Sequence, residues 1–282
     1  MLALKELLET AIEEDAPTGD ITTEYFVGTG KIGQARLISK AEGIFYGEEI
    51  ITALFEILDQ SVKISFSKHN GNFITSGDVI AQFEGSIPKI LLAERVMLNF
   101  VQRLSGIATL TNQFVTKLNN SKISILDTRK TTPLFRSLER KAVIAGGAQN
   151  HRFGLSDMVL LKENHLRAMV ISGEIKKLSE KIKVLKQKKP WVQIEIEIEN
   201  LTQLQEWDLK EVNMILLDNF KLDEIAQAVN LAKHQNPNVL IEISGNVTLE
   251  NIAQYRNFPI DRISVGALTH SARALDLSLR FD

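Results

Sequence analysis

Six short apolar runs in the later part of the chain lead into residues that can bind a ligand or take part in chemistry. The runs cover residues 123–126, 158–161, 192–198, 214–217, 239–243 and 263–265. At or just after their carboxyl ends stand Arg129 and Lys130, Lys162, Glu197, Asp218, Ser244-Gly245-Asn246, and Gly266-Ala267. Cations bind carboxylate and phosphate groups, and backbone N–H groups in glycine turns bind phosphate. This set of residues therefore favours a site for an anionic, phosphorylated substrate.

Positive charge is concentrated around the first two runs. Residues 127–165 contain seven Lys or Arg and four Asp or Glu, a local charge of +3, whereas the whole chain has a net charge of −2. Between the runs lie Arg136, Arg140, Lys141, Asn150, His151 and Arg152. An anionic ligand would explain this concentration, and an ordinary solvated surface is the alternative. The position at strand ends favours a ligand, because strand ends converge whereas charges on helix faces scatter.

Two carboxylates near these cations suit a magnesium ion. Glu195, Glu197 and Glu199 alternate with isoleucine, so all three should share one side of a strand, and Asp218 ends an apolar run. Hard oxygen donors beside a phosphate site suit Mg²⁺, which takes one or two carboxylates and leaves its other positions to water and phosphate. We therefore expect Glu197 and Asp218 to hold Mg²⁺. A zinc site is disfavoured, because His151, His165 and His270 lack zinc-ligand spacing and have no Cys companions.

The elements that position these residues follow a regular alternation. From residue 123 onward, apolar runs alternate with segments of helical spacing such as residues 174–188 and 223–233. This alternation predicts a parallel sheet with crossover helices. In an α/β barrel, the carboxyl ends of the strands face one mouth, and glycine turns after the last two strands commonly bind phosphate. The sequence therefore predicts an α/β barrel with its site at that mouth.

The first hundred residues show a different pattern. An amphipathic helix over residues 1–15 precedes short strands and a helix over residues 47–58, which together predict a small α+β unit. A long helix then begins near Pro88 and is expected to break at Gly106. Arg95 shares the apolar side of that helix with Leu91 and Leu98, so its guanidinium must find an anion or reach solvent along its stem.

Composition excludes several classes of protein. The 282 residues, 44% of them hydrophobic, can bury a substantial core. A pI near 6.3 disfavours a general nucleic-acid or membrane-surface binder. The absence of Cys excludes disulfides and thiolate catalysis. No apolar run approaches the roughly 18 residues of a membrane span, so we expect a cytoplasmic protein that binds neither nucleic acid nor membrane.

Seven motifs, in order, identify a resemblance. They are EDAPTGDITT at residues 14–23, AERVMLNFVQRLSGIAT at 93–109, TRKTTP at 128–133, GGAQNHR at 146–152, LLKENH at 160–165, LLDN at 216–219 and ISVGALTH at 263–270. Together they resemble the quinolinate phosphoribosyltransferase family, the carboxylating nicotinate-nucleotide pyrophosphorylases. The resemblance covers essentially the whole chain, so it carries implications for both of its parts.

The resemblance implies a reaction, an architecture and an assembly. The family transfers phosphoribosyl from phosphoribosyl pyrophosphate to quinolinate with decarboxylation, giving nicotinate mononucleotide, pyrophosphate and CO₂ in NAD biosynthesis, with Mg²⁺. Its fold is an α/β sandwich domain, here residues 1–105 joined by the tail at about 271–282, followed by an incomplete, seven-stranded α/β barrel, here residues 106–270. A homodimer whose active site is shared across the interface is expected.

The resemblance also implies roles for individual residues. The quinolinate carboxylates would be held by Arg129, His151, Arg152 and Lys162, with Arg95 from the partner subunit. Lys130 would contact phosphoribosyl pyrophosphate, and the neighbouring Thr128 would be a further substrate-binding residue. Glu197 and Asp218 would face the ribose and magnesium, so that Lys130, Glu197 and Asp218 form the catalytic set. The 5′-phosphate pocket would be bordered by Ser244, Gly245, Asn246, Gly266, Ala267 and His270.

The chain departs from the family pattern at four positions, and three alternatives stay open. Glu163, Leu134, Lys141 and Ala148 stand where the family usually has Asp, Gly, an aromatic residue and Gly. The nearest alternative is a molybdenum-transport-type pyrophosphorylase of the same fold with another acceptor. Another barrel enzyme acting on a sugar phosphate would leave several cations unexplained. A lipoyl-like carrier is the third, but residues 76–78 of the hairpin that would present its acceptor contain no lysine.

Overall fold

The computed structural model describes residues 4–281, which form two compact units. The first unit extends to Asn112 and also contains Thr131–Gly147 and the chain from Leu268 onward. The second unit comprises Gln113–Lys130 and Ala148–Ala267. Residues 1–3 of the predicted first helix and residue 282 of the predicted tail lie outside the described residues.

The elements alternate along the chain as follows. The helices are α1 (Leu4–Asp15), α2 (Ile21–Phe26), α3 (Glu48–Leu58), α4 (Ile87–Leu118), α5 (Arg136–Ala145), α6 (Glu163–Ile171), α7 (Leu178–Lys188), α8 (Leu201–Glu206), α9 (Leu222–Gln235) and α10 (Ala267–His270). The strands are β1 (Ile32–Ser39), β2 (Gly43–Ile44), β3 (Lys63–Phe66), β4 (Phe73–Ile74), β5 (Val79–Ser86), β6 (Ser124–Leu126), β7 (Val159–Leu161), β8 (Ile194–Ile198), β9 (Met214–Asp218), β10 (Leu240–Ser244), β11 (Arg262–Ser264) and β12 (Leu277–Phe281). Across residues 4–281, no helix combines the length and apolar character needed to cross a membrane.

The first unit is built on a four-stranded antiparallel sheet in the order β12-β1-β5-β3. Alternate residues of β1 face the core, and both Ala35 and Leu37 are fully buried. On β5, Phe83 packs against Phe55 of α3, with 5.3 Å between the ring centroids. Strands and helices therefore share one core, as predicted for an α+β unit.

The prediction that the helix after Pro88 breaks at Gly106 is wrong. Helix α4 is 32 residues long and continues without a break through Gly106. A Cβ atom at position 106 would lie 2.0 Å from the carbonyl oxygen of Arg273. Glycine is needed there for the close approach of the carboxyl-terminal segment, and this packing overrides the low helix propensity of glycine.

The second unit contains a parallel sheet in the order β6-β11-β10-β9-β8-β7. Each of its six strands falls on one of the six predicted apolar runs. Strands that are covered on both faces read as continuous hydrophobic runs, which explains why these could be recognised. A single parallel bridge between Leu126 and Gln149 adds a seventh backbone segment beside β6. The arrangement agrees with the predicted incomplete α/β barrel, whose seventh position is reduced to one bridge.

Candidate functional site

Most of the predicted site residues lie in the second unit, at or just beyond the carboxyl ends of its strands or on the segment that follows Gln149. They are Thr128, Arg129, Lys130, His151, Arg152, Lys162, Glu197, Asp218, Ser244, Gly245, Asn246, Gly266 and Ala267. Two predicted residues belong to the first unit instead: Arg95 in α4 and His270 at the end of α10, both exposed. The second unit therefore brings together the cations, the two carboxylates and the glycine turns.

Strand register places the two predicted metal ligands on one face of the sheet. Glu197 is paired with Leu216 across β8 and β9, and Asp218 is paired with Ser244 across β9 and β10. Side chains paired in adjacent strands point to the same side, and every second residue of a strand shares that side. Asp218 therefore lies on the same face as Glu197, one side-chain repeat nearer the carboxyl edge.

Glu197 is fixed by the segment that begins α6. Its side chain is almost fully buried, and Oε1 accepts a hydrogen bond of 3.0 Å from the main-chain N–H of Glu163. Glu163 is the first residue of α6, where backbone N–H groups lack partners within the helix and favour negative charge. The ammonium of Lys162 lies 3.4 Å from Oε2 of the same carboxylate. A predicted substrate cation and a predicted catalytic acid are thus in contact.

Asp218 is held by the turns that follow β9 and β10. Its Oδ1 accepts a hydrogen bond from the Ser244 hydroxyl, and Oδ2 accepts one of 2.6 Å from the Asn219 side-chain amide. Gly245 has a φ of +85°, and a Cβ atom there would lie 2.2 Å from Asn219 Oδ1. Asn246 also donates to that oxygen, at 2.9 Å. Only glycine fits at 245, so the predicted phosphate turn is closely fitted to the acid beside it.

The positive charges of Arg129 and Arg152 act on each other. Arg152 is 9% exposed, and its Nη1 donates a hydrogen bond of 3.1 Å to the carbonyl of Met158. Burial lowers the pKa of the Arg152 guanidinium, and the positive charge of Arg129 lowers it further. The Nε atom of Arg129 is buried without a hydrogen-bond partner in residues 4–281. Two guanidinium groups whose charges repel, one of them with an unused buried donor, are the arrangement that an anion stabilises.

His151 lies between two acids in the interior of the second unit. Its Nε2 lies 3.1 Å from Glu195 Oε2 and 3.4 Å from Glu242 Oε1, and both acids are fully buried. Burial of the ring lowers the pKa of His151, but the two carboxylates outweigh it and raise that pKa above its ordinary value. Burial also raises the pKa of Glu195. The ring nitrogen Nε2 is therefore the polar atom that faces both desolvated acids.

The structure divides the charged residues of the predicted clusters among different surroundings. Arg136, Arg140 and Lys141 lie on α5 in the first unit, where both oxygens of Glu49 are 3.1 Å from the Lys141 ammonium. Glu199 also departs from the prediction, because it follows the end of β8 and is exposed, whereas Glu195 and Glu197 are buried. The strand thus contributes two interior acids.

Sequence reasoning missed two groups of supporting residues. Glu242 occupies an alternate position in the run Ile241-Glu242-Ile243, so the same alternation that identified Glu197 could have found it. The second group is in the first unit, where Arg103 donates to the fully buried Glu139 at 2.8 Å and to the carbonyl of Thr269 at 2.6 Å. No sequence signal relates these positions, because they meet only through tertiary packing.

Comparison with known proteins identifies the family. The model of the quinolinate phosphoribosyl transferase C-terminal domain matches residues 107–280, and that of the N-terminal domain matches residues 20–105. The chain belongs to the quinolinate phosphoribosyl transferase family. The resemblance inferred from its seven motifs is therefore confirmed, and the two matched domains of this family together span most of the chain.

Curated and solved relatives agree with this assignment. A probable carboxylating nicotinate-nucleotide pyrophosphorylase of Bacillus subtilis is 40% identical over 99% of this chain and 93% of its own length. A probable enzyme of the same name from Methanocaldococcus jannaschii is 36% identical over 98% of this chain and 96% of its own length. The crystal structure of NadC from Streptococcus pyogenes is 34% identical, with a TM-score of 0.90 over 100% of this chain and 99% of that one. The family fold is therefore shared over both units.

Proposed function

We propose that the protein transfers the phosphoribosyl group of phosphoribosyl pyrophosphate to quinolinate with loss of CO₂, giving nicotinate mononucleotide and pyrophosphate in NAD biosynthesis. The observation that carries this proposal is the buried Nε donor of Arg129, which has no hydrogen-bond partner in residues 4–281, on a guanidinium whose charge acts on the buried Arg152. Quinolinate offers two adjacent carboxylates, and planar guanidinium groups bind carboxylates through two parallel hydrogen bonds. Family membership supports the same acceptor.

The remaining predicted residues fit the rest of the substrate pair. The turn at Gly245 and Asn246, which lies against Asn219, leaves backbone without side-chain bulk for a phosphate. Lys130 is exposed, and we expect it to contact phosphoribosyl pyrophosphate. Lys162 already contacts Glu197, so quinolinate bound by Lys162 would lie near the acid that faces the ribose. The two substrates would then be held with the ring nitrogen directed at the anomeric carbon.

The chemistry needs negative charge where the ribosyl cation develops. Transfer passes through an oxocarbenium-like state, and a fixed carboxylate such as Glu197 or Asp218 stabilises that state more than the ground state. After the new C–N bond forms, the positively charged ring withdraws electrons. The adjacent 2-carboxylate can then leave as CO₂, and its bonding electrons return to the ring carbon, which takes up a proton. No separate decarboxylation cofactor is required.

Magnesium fits the same acids. Asp218 is half-buried and held in place by Ser244 and Asn219, and Glu197 shares its face of the sheet. Two hard oxygen donors beside a phosphate turn suit Mg²⁺, so we expect Glu197 and Asp218 to hold it directly or through water. When bound, magnesium would neutralise charge on the departing pyrophosphate. The side chains themselves would orient the ribose and stabilise its developing positive charge.

We also propose a homodimer with a shared site, in which Arg95 reaches the quinolinate of the partner subunit. Arg95 is exposed on α4, although it has apolar neighbours on the same helix. Within residues 4–281, Arg95 forms no ion pair, so its guanidinium can meet an anion supplied by a second copy. A C₂ dimer would create two equivalent composite sites.

One assay tests the reaction. Purified protein with quinolinate, phosphoribosyl pyrophosphate and Mg²⁺ should release nicotinate mononucleotide and CO₂ in equal amounts. Nicotinate, which has one carboxylate, should be used far less well because it leaves part of the cation group unpaired. Equal turnover of the two acceptors, or ribosylation without CO₂, would overturn the proposal. Activity with another acceptor alone would favour the molybdenum-transport type.

A further inference from the structure

Two buried acids in the second unit have no part in the proposed reaction. Glu195 and Glu242 are each 0% exposed. No hydrogen bond of standard geometry reaches any of their four carboxylate oxygens from within residues 4–281. Leaving two buried carboxylates without balancing groups is costly. Two groups reduce this cost: the His151 ring, whose Nε2 faces both acids, and the positive charge of Arg262.

Register explains how these groups meet. Glu242 on β10 is paired with Arg262 on β11, so their side chains lie on the same face of the sheet. The Arg262 charge also acts on Glu195, where it works against the raised pKa of that acid. His151 approaches from the segment after Gln149 and places Nε2 at 3.1 Å and 3.4 Å from the two acids. The cluster thus joins β8, β10 and β11 to the segment that precedes Arg152.

Both nitrogens of the His151 ring are used within the chain. Nε2 faces the two acids, and Nδ1 accepts a hydrogen bond of 2.7 Å from the main-chain N–H of Arg152. The main-chain N–H of His151 donates to Oδ1 of Asp127, also at 2.7 Å. Only 7% of the His151 side chain is exposed. No polar atom of this side chain is left to bind a substrate.

The contacts of His151 converge on the backbone of Arg152. The ring fixes the Arg152 amide, Asp127 fixes the preceding amide, and the Met158 carbonyl accepts from the guanidinium itself. Together they set where the Arg152 side chain leaves the backbone and where its charged end lies. A guanidinium binds a carboxylate through two hydrogen bonds only when its plane is correctly oriented. An error of about 1 Å at such a position can cost binding heavily.

We propose that His151, braced by Glu195 and Glu242, is a positioning residue that orients Arg152 toward a carboxylate of quinolinate, and that its ring does not itself bind the substrate. The inference rests on the proposed function for the identity of the ligand. It revises the role that the family resemblance implies for His151, which is direct contact with a quinolinate carboxylate. It also gives Glu195 and Glu242 a function, since they hold the ring from the opposite side.

A double-mutant cycle with quinolinate separates the two roles, because residues that act through one another do not contribute additively. The dissociation constant for quinolinate would be measured by calorimetry for the wild type, His151→Gln, Arg152→Ala and the double variant. We expect His151→Gln alone to weaken binding roughly tenfold, and Arg152→Ala roughly 100-fold. In the Arg152→Ala background, His151→Gln should weaken binding by less than about threefold. A double variant weakened by the full product of the single effects would overturn the proposal.

A second variant tests the same role without changing residue 151, in case His151→Gln does not fold. Glu242→Gln keeps the size of the side chain and removes its charge, and it enters the same cycle with Arg152→Ala. We expect it to raise KM for quinolinate severalfold while KM for phosphoribosyl pyrophosphate changes by less than about twofold. Equal changes in both constants would mean a general loss of structure and would overturn the proposal. Asp261→Asn is the matched control, because Asp261 accepts from the Ile241 N–H at the amino end of β10, and both constants should stay as in the wild type.

The outcomes distinguish this inference from the proposed function. A wild type that binds quinolinate without turning it over would refute the reaction, whereas the calorimetric cycle would still decide the role of His151. A wild type that fails to bind quinolinate would overturn both. Additive binding effects in an active enzyme would overturn the positioning role alone.

Discussion

Glu197 accepts a hydrogen bond at Oε1 from the main-chain N–H of Glu163, with 3.0 Å between the two atoms. The side chain of Glu163 points elsewhere and forms an ion pair with Arg167 one helical turn later. Because the contact to Glu197 comes from the backbone, the longer side chain at 163, where the family usually has Asp, leaves it intact. The carboxylate is thus positioned by the start of α6 and by Lys162.

This arrangement makes the acidic pair testable. We expect Glu197→Gln and Asp218→Asn each to lower kcat roughly 100-fold or more while the protein stays folded, because a group that acts mainly in the transition state affects kcat. Steady-state kinetics and circular dichroism would measure the two effects. Glu199→Gln, on the exposed residue just beyond the same strand, is the matched control and should keep wild-type activity. Full activity in either amide variant would give that acid a structural role only.

The shared site predicts complementation between subunits. Arg95→Ala and Lys162→Ala homodimers should each be nearly inactive, since each removes a proposed quinolinate contact. In a heterodimer both defects fall in one site and the other site is whole. Random reassociation makes about half of the dimers heterodimers, so about a quarter of wild-type activity should return. If no activity returns after verified subunit exchange, Arg95 acts within its own chain or serves only the fold.

Gly106 should be intolerant of a side chain. Alanine normally favours helix by up to about 1 kcal/mol over glycine, but here its Cβ would lie 2.0 Å from the Arg273 carbonyl oxygen. Such overpacking costs about 1–3 kcal/mol, and occasionally more. Gly106→Ala should therefore lower the free energy of unfolding by at least about 1 kcal/mol. Urea denaturation would measure it. Gly154→Ala is the control, because a Cβ at 154 meets nothing within 4 Å, and an equal loss there would argue against the steric reason.

Replacing Leu134 by glycine should stabilise the fold. Its φ is +67°, a left-handed conformation that costs a residue with a Cβ about 1–2 kcal/mol. Glycine would remove that strain at an entropic cost of about 0.5–1 kcal/mol, so Leu134→Gly should raise the free energy of unfolding by about 0.5–1 kcal/mol. Leu155 has the same exposure, 71%, without a positive φ, and Leu155→Gly should be destabilising. Similar losses in both variants under chemical denaturation would contradict this account.

The sheet of the second unit could be predicted because parallel strands that are buried on both faces are apolar throughout, without alternating polar residues. Runs such as Met214-Ile215-Leu216-Leu217 are apolar on both faces, so both their position and the polar residue that ends them are visible in the sequence. Placement of Lys162, Glu197 and Asp218 followed from that pattern alone. The roles of these residues came from the family resemblance and stay predictions.

What could not be predicted depends on contacts between distant residues. The sequence alone predicts a helix end at Gly106, whereas in the structure the backbone of Arg273 packs against this glycine. The sequence alone places Lys141 in a cation cluster, whereas in the structure it lies on α5 in the first unit and pairs with Glu49. The family resemblance implies that His151 binds substrate, whereas in the structure both of its ring nitrogens contact other groups of the chain. In each case the local sequence is compatible with two structures, and tertiary packing selects one.

Strand β1 lies between β5 and β12, its antiparallel neighbours, and the whole second unit lies between β1 and β12 in the sequence. During synthesis, β1 therefore emerges long before the strand that covers one of its edges. Until β12 is made, that edge presents unpaired N–H and C=O groups, which invite pairing with other chains. Products of interrupted translation should consequently depend on chaperones far more than the finished chain does.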